Sequence, residues 1–247
     1  MKIKFRPLFV PAVIIICIVF LVVLACKAPG EAEMRVMQYA QEKGIPYTSY
    51  PQSLIDLLDR NPETDEFVLN YPFREERVVD MSGYDAKRGV PLFLQWDEQW
   101  GYMSYGGDFL GVNGSAPMCL AMAGYYISKG DEKFHPHWVV EFAVEKGYHF
   151  PVSGRSLITK GGPELGLHVT EISLVEQKIA DYLRNGDPII ASMGPGGDFD
   201  NFVVLTGYRE GMVSLRDPDS RINSEMQWAF EDLAGQIRNL WVIQGNH

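Results

Sequence analysis

The residues best placed to do chemistry lie in Val112–Gly124, VNGSAPMCLAMAG. A glycine-containing loop leads into one small hydroxyl residue, Ser115, and then into an apolar run. The pattern predicts a helix with Ser115 at its N-cap and Ala116, Pro117 and Met118 in its first turn. Proline is favoured there because its missing N–H would be unpaired anyway. Such a helix start offers free N–H groups and a partial positive charge. It would lower the pKa of a thiol and stabilise an oxyanion. The chain has the architecture of a nucleophile station, with a hydroxyl where a thiol would serve best. Cys119, one turn further on, reads as a small buried core residue.

The other titratable candidates read as structural. His135-Pro136-His137 stands near a helix start, with no carboxylate or cysteine at ligand spacing, so no metal site is assigned. Neither His149, His168 nor His247 falls on a strand expected to face Ser115. Asp198 and Asp200 read as turn residues. No cofactor motif is recognised.

Elements on either side must position this helix. Glu33–Lys43 and Gln52–Arg60 read as short amphipathic helices, the second with Leu54, Ile55, Leu57 and Leu58 on its apolar side. Phe67-Val68-Leu69 reads as a helical turn or an extended piece. Pro91–Gln95 is a short apolar run ending in a glutamine, and WDEQWGYMSYGG (96–107) is an aromatic loop. Pro136–Lys146 is a helix. Ser173 to Glu176 has the form of a capping box opening a helix over Leu174–Arg184. After it the period changes. Pro188–Met193, Phe202–Tyr208, Met212–Leu215 and Leu240–Ile243 are β-rich runs, with a hairpin turn at Arg209-Glu210-Gly211. Helices first and an antiparallel sheet after is the order of an α+β domain.

The whole chain narrows the partners. It has 247 residues and a net charge of -10, which argues against a nucleic-acid partner. Lys2, Lys4 and Arg6 precede an apolar run from Leu8 to Ala25, long enough to span a bilayer. The basic flank predicts that the rest of the chain is exported. Val23-Leu24-Ala25-Cys26 also resembles a lipobox, with Cys26 as the lipidated residue. A retained signal anchor and a lipoprotein both tether the domain to the outer face of a membrane. Beyond Cys17 and Cys26 only Cys119 remains, so the exported part forms no internal disulfide. The expected division is 1–26 as membrane anchor or lipoprotein signal, 27–89 as linker and helical extension, and 90–247 as the main domain.

Several motifs occur in an order that resembles a known family. They are Gln95-Trp96-Asp97, Gly114-Ser115-Ala116-Pro117 with Leu120-Ala121-Met122, FVVLTGY (202–208), Asp217-Pro218 and Asn239-Leu240-Trp241-Val242. Together they resemble cysteine peptidase family 39, the papain-like, bacteriocin-processing branch, and in particular its membrane-anchored single-domain members. The resemblance covers roughly 90–243. It implies an α+β papain-like fold, with N-terminal helices packed on an antiparallel sheet. It also implies a cysteine nucleophile, a histidine base, an orienting aspartate and an oxyanion-hole glutamine.

Carried over residue by residue, Gln95 matches the glutamine and Asp217 the acid. Ser115 stands at the nucleophile position and Asn201 at the base position. An asparagine cannot take a proton from a hydroxyl, and triad members act as a unit. The reading that results is a membrane-tethered, catalytically inactive peptidase-like domain that binds a peptide or protein ligand. The alternatives are an active thiol-type peptidase, as a variant or with its nucleophile mutated, and a structural surface domain. Trp96, Trp100 and Tyr105, with Tyr102, are expected either to wall a peptide groove or to pack the loop they sit in.

Overall fold

The computed structural model describes residues 29–75, 77–148, 154–194 and 201–245. The apolar run 8–25, Cys26, His149, Asp198, Asp200 and His247 lie outside them. Among the described residues no helix is long and apolar enough to cross a membrane. The chain divides into two units, Met1–Tyr47 and Thr48–His247.

In the first unit, helix α1 spans Glu31–Lys43, with Glu31 and Glu33 in its first turn and Lys43 in its last. Both charges suit the helix dipole. Gly44 ends it at φ 68°, a left-handed value that glycine adopts without strain.

The second unit opens with α2 (Gln52–Arg60) and α3 (Asp65–Asn70). Leu54, Ile55, Leu57 and Leu58 are buried in α2 as the spacing predicts, and Phe67–Leu69 are helical and buried. A two-strand ribbon, β1 (Ser104–Tyr105) with β2 (Asp108–Phe109), runs into the short helix α4 (Leu110–Asn113). Helix α5 follows over Ser115–Ile127 and α6 over Pro136–Glu145.

The helix boundary at Ser115 differs from the expectation by one residue. Gly114, not Ser115, is the N-cap, because its carbonyl accepts the first helical bond from Met118 N–H (3.1 Å). α4 runs so close that a methyl group at position 114 would lie 2.3 Å from the Leu110 carbonyl oxygen. Only glycine fits between the two helices, which pushes the serine inside the first turn.

The second unit's sheet has six antiparallel strands in the order β3-β8-β4-β5-β6-β7. They are β3 (Leu167–Ile172), β4 (Ile189–Met193), β5 (Asn201–Arg209), β6 (Met212–Arg216), β7 (Gln227–Ala229) and β8 (Ile237–Gly245). Between β3 and β4 lies α7, Glu176–Arg184. It starts two residues later than expected, and the capping box is not formed. Glu176 accepts a hydrogen bond from Tyr208 OH on β5 (2.6 Å) instead of folding back on the backbone.

Side-chain alternation covers the sheet on both faces. Phe202, Val204, Trp241 and Ile243 join the core around α5. Val203, Leu205, Leu240 and Val242 join a second core with Ile179 and Leu183 of α7. The consecutive residues Met118 to Ala123 are each 0% exposed. α5 is therefore apolar all round because it is buried all round. Gly124 faces the Phe134 ring with no room for a side chain (a methyl group would lie 2.2 Å from it). These contacts set the height at which α5 presents its N-terminus.

Candidate functional site

Three segments meet near the start of α5. The first ends in Gln95, whose backbone N–H donates to the Pro218 carbonyl (2.8 Å). The second segment is the α4–α5 corner around Gly114, reached by Gln95 Nε2, which donates to the Gly111 carbonyl of α4 (3.1 Å). The third is Asp217–Ser220, between β6 and the short helix α8 (Arg221–Glu225). The structure thus brings Gln95 and the acid loop together, with Gly111 linking them to the helix that carries Ser115. Asp217 lies close enough to α5 for its charge to act on Cys119.

Ser115 is half-buried at the first turn. Among the described residues its hydroxyl has no hydrogen-bond partner. Asn201 opens β5, exposed and paired with Met193. Phe202 beside it packs toward α5: Gly154 lies between Ala116 and Phe202 with no space for a side chain. Cys119 is fully buried, and burial, with the Asp217 charge as a second cause, pushes its thiol well above the ordinary value. It is a packing residue and holds no thiolate at neutral pH.

Asp217 is engaged on both oxygens. Oδ1 accepts from the Asp219 backbone N–H (2.9 Å) and Oδ2 from Asn223 Nδ2 (2.8 Å). The first bond makes an Asx turn, the habit of an Asp-Pro sequence. Burial raises the Asp217 carboxyl above 3.8, and the two hydrogen bonds pull it back only in part.

Gln95 is 3% exposed. Its second Nε2 bond goes to Asp219 Oδ1 (3.1 Å). A primary amide has two N–H groups, and both are taken. Oε1 is buried with no hydrogen-bond partner among the described residues.

The aromatic candidates separate. Trp96 is half-buried and its indole N–H donates to the Asp219 carbonyl (2.9 Å). Trp100 is 1% exposed and donates to the Leu94 carbonyl (2.8 Å). Tyr105 is 4% exposed and its hydroxyl donates to the Tyr148 carbonyl (3.0 Å). Trp100 and Tyr105 therefore belong to the core, where burial satisfies their large apolar area and a carbonyl satisfies the polar tip. Of the three, only Trp96 stands beside the acid loop.

Residues outside the expected set complete the site. Glu63 accepts from Ser220 Oγ, from Arg221 N–H (2.9 Å) and from Ile222 N–H (3.3 Å), which caps α8. Asn61 Nδ2 donates to the Asp219 carbonyl and to its Oδ1 (3.3 Å). Arg216 Nε donates to the Val90 carbonyl (3.1 Å) and Nη1 to the Ser224 carbonyl (3.1 Å). The only local signals are turn residues, Asn61-Pro62 and Asp217-Pro218. Among the described residues no cluster of three His, Cys, Asp or Glu side chains could hold a metal ion.

No family model and no curated protein sequence matches the chain. Solved structures do. The peptidase domain of Streptococcus ComA, a bi-functional ABC transporter involved in quorum sensing, is 17% identical with a TM-score of 0.40; the match covers 54% of this chain and 93% of that one. A C39-like peptidase from Bacillus anthracis is 13% identical with a TM-score of 0.42, covering 64% of this chain and 96% of the other. The first is described as a peptidase domain and the second as a C39-like peptidase. The chemistry of this chain rests on its own geometry.

Proposed function

We propose that the chain is a membrane-tethered, extracytoplasmic peptidase-like domain that binds a peptide beside the start of α5 without cleaving it. The observation that carries this reading is the Ser115 hydroxyl, which has no hydrogen-bond partner among the described residues. Asp217, at the position of the orienting acid, is hydrogen-bonded to Asn223 and to the Asp219 backbone. The residue at the base position is Asn201, whose amide takes no proton at neutral pH. A serine hydroxyl without a base is a poor nucleophile. What the cleft retains is a helix start with free N–H groups and the Trp96 face, which suit a carbonyl and an apolar side chain of an extended peptide.

The test presents the full chain, in detergent, with a randomised peptide library. A reproducible subset is retained and mass spectrometry finds no new peptide ends. Cleavage that is lost in Ser115→Ala would overturn the reading. The tether rests on the basic flank and the apolar run. Membrane association that resists alkaline carbonate in both wild type and Cys26→Ser supports a signal anchor. Its loss in Cys26→Ser alone supports lipidation, and a carbonate-soluble wild type removes the tether.

A further inference from the structure

We propose that Asp219 is a positioning residue that locks the Gln95 amide, so that Gln95 donates to the acid loop and not to a bound ligand. The inference rests on the reading of Gln95 as the inherited carbonyl-binding residue of the cleft.

The lock is built from backbone outward. Asp219 N–H donates to Asp217 Oδ1, and its carbonyl accepts from Trp96 Nε1 and Asn61 Nδ2. Gln95 is fixed to the same loop through its own N–H and the Pro218 carbonyl. With both backbones pinned, the Asp219 carboxylate has the amide within reach at 3.1 Å.

An ionised carboxylate is acceptor-only, so it dictates which end of the amide faces it. Turning the amide over would set Oε1 against Asp219 Oδ1 and the Gly111 carbonyl, with no proton between them. The orientation that results leaves Oε1 buried and unpartnered. A buried polar atom without a partner costs about 1–3 kcal/mol. The charge-assisted bond from Nε2 is strong enough to hold that arrangement.

The groups acting on the Asp219 carboxylate are Asp217 and Glu63, which repel its charge, and Arg60, Asn61 and Gln95, which favour it. Burial raises it above 3.8, and the Asp217 charge is the next cause. Protonation gives Asp219 a donor and weakens its hold on Nε2, while the Gly111 carbonyl still accepts from the amide.

The experiment reads the Gln95 side-chain amide by NMR, using the full chain in detergent micelles with glutamine labelled by ¹⁵N at Nε2. The signal pair is assigned by its loss in Gln95→Ala. In wild type the pair moves as pH falls toward the raised value of the Asp219 carboxyl. Asp219→Asn, which keeps a neutral acceptor, abolishes that movement. Asp219→Ala speeds solvent exchange of the pair about tenfold, the loss of one hydrogen bond.

The Trp96 and Asn61 bonds to the Asp219 backbone do not depend on its side chain, so the loop is held in both variants; should Asp219→Ala fail to fold, Asp219→Asn decides. A pH-dependent shift that persists in Asp219→Asn, or exchange unchanged in Asp219→Ala, overturns the lock. The readout needs no ligand. Its failure leaves peptide binding standing, and failure of peptide binding leaves the lock standing.

Discussion

At the start of α5 the Ser115 hydroxyl meets no described partner, while across the same site the acid loop Asp217–Ser220 is held by Asn61, Glu63, Gln95, Trp96, Asn223 and Ser224. The two regions differ in what fixes them. The helix start is held by shape: Gly114 against Leu110, Gly124 against Phe134, and a shell of fully buried side chains. The acid loop is held by polar bonds that reach across the chain. A carboxylate held by several donors is fixed in place by them.

That contrast can be broken by substitution. The largest effect is expected for Gly114→Ala. The new methyl meets the Leu110 backbone carbonyl at 2.3 Å, and a backbone neighbour cannot step aside cheaply. A loss of about 3 kcal/mol in urea denaturation is expected for overpacking of this kind. Wild-type stability there would mean that packing does not set the helix start.

Glu63→Ala comes next, at about 2 kcal/mol, because three donors lose a charged acceptor. The cost falls on the acid loop, so amide exchange should rise in Arg221–Glu225 and not in Ser115–Ile127. Equal exchange increases in both regions would show that the two ends are not held separately.

The third prediction concerns pH. Asp217 and Asp219 are both raised above 3.8, mainly by burial. The folded state then binds their protons more tightly than the unfolded chain does. Their contribution to stability is complete below 3.8 and is lost as pH rises through the folded-state values. Asp219→Asn should flatten this part of the stability curve. Parallel curves for variant and wild type as pH rises from 3.8 would contradict the assignment. The smallest effect is expected for Ser115→Ala, within about 0.5 kcal/mol, since the hydroxyl caps nothing. A loss above about 1 kcal/mol, the usual cost of a lost N-cap, would mean that Ser115 caps the helix after all.

Much of the fold is legible along the chain. Leu54, Ile55, Leu57 and Leu58 repeat at helical spacing because one face of α2 is buried. The strand over Phe202–Tyr208 shows as a β-rich run because both faces of β5 are covered. β3 carries a weaker signal: His168 and Glu171 are exposed and polar on an edge strand, so its pattern resembles a loop. The capping box at Ser173 fails because its glutamate has a partner on β5 that local sequence does not reveal. Trp100 and Tyr105 look like groove walls in sequence, since an aromatic ring carries the same letters whether it lines a cleft or fills a core.

The sequence by itself determined the types of residue at the four chemical positions. Ser115 carries a hydroxyl and Asn201 an amide wherever the chain folds, and no geometry gives an amide a basic nitrogen. Only the tertiary structure decided the hydrogen bonding of Gln95 and Asp217. Glu63 and Ser220 stand 157 positions apart, and Gln95 and Asp219 stand 124 apart. Hydrogen bonds of that span leave no period, cap or spacing in the sequence. They exist because packing of the buried α5 against the sheet brings these segments together, where most buried polar groups find a partner.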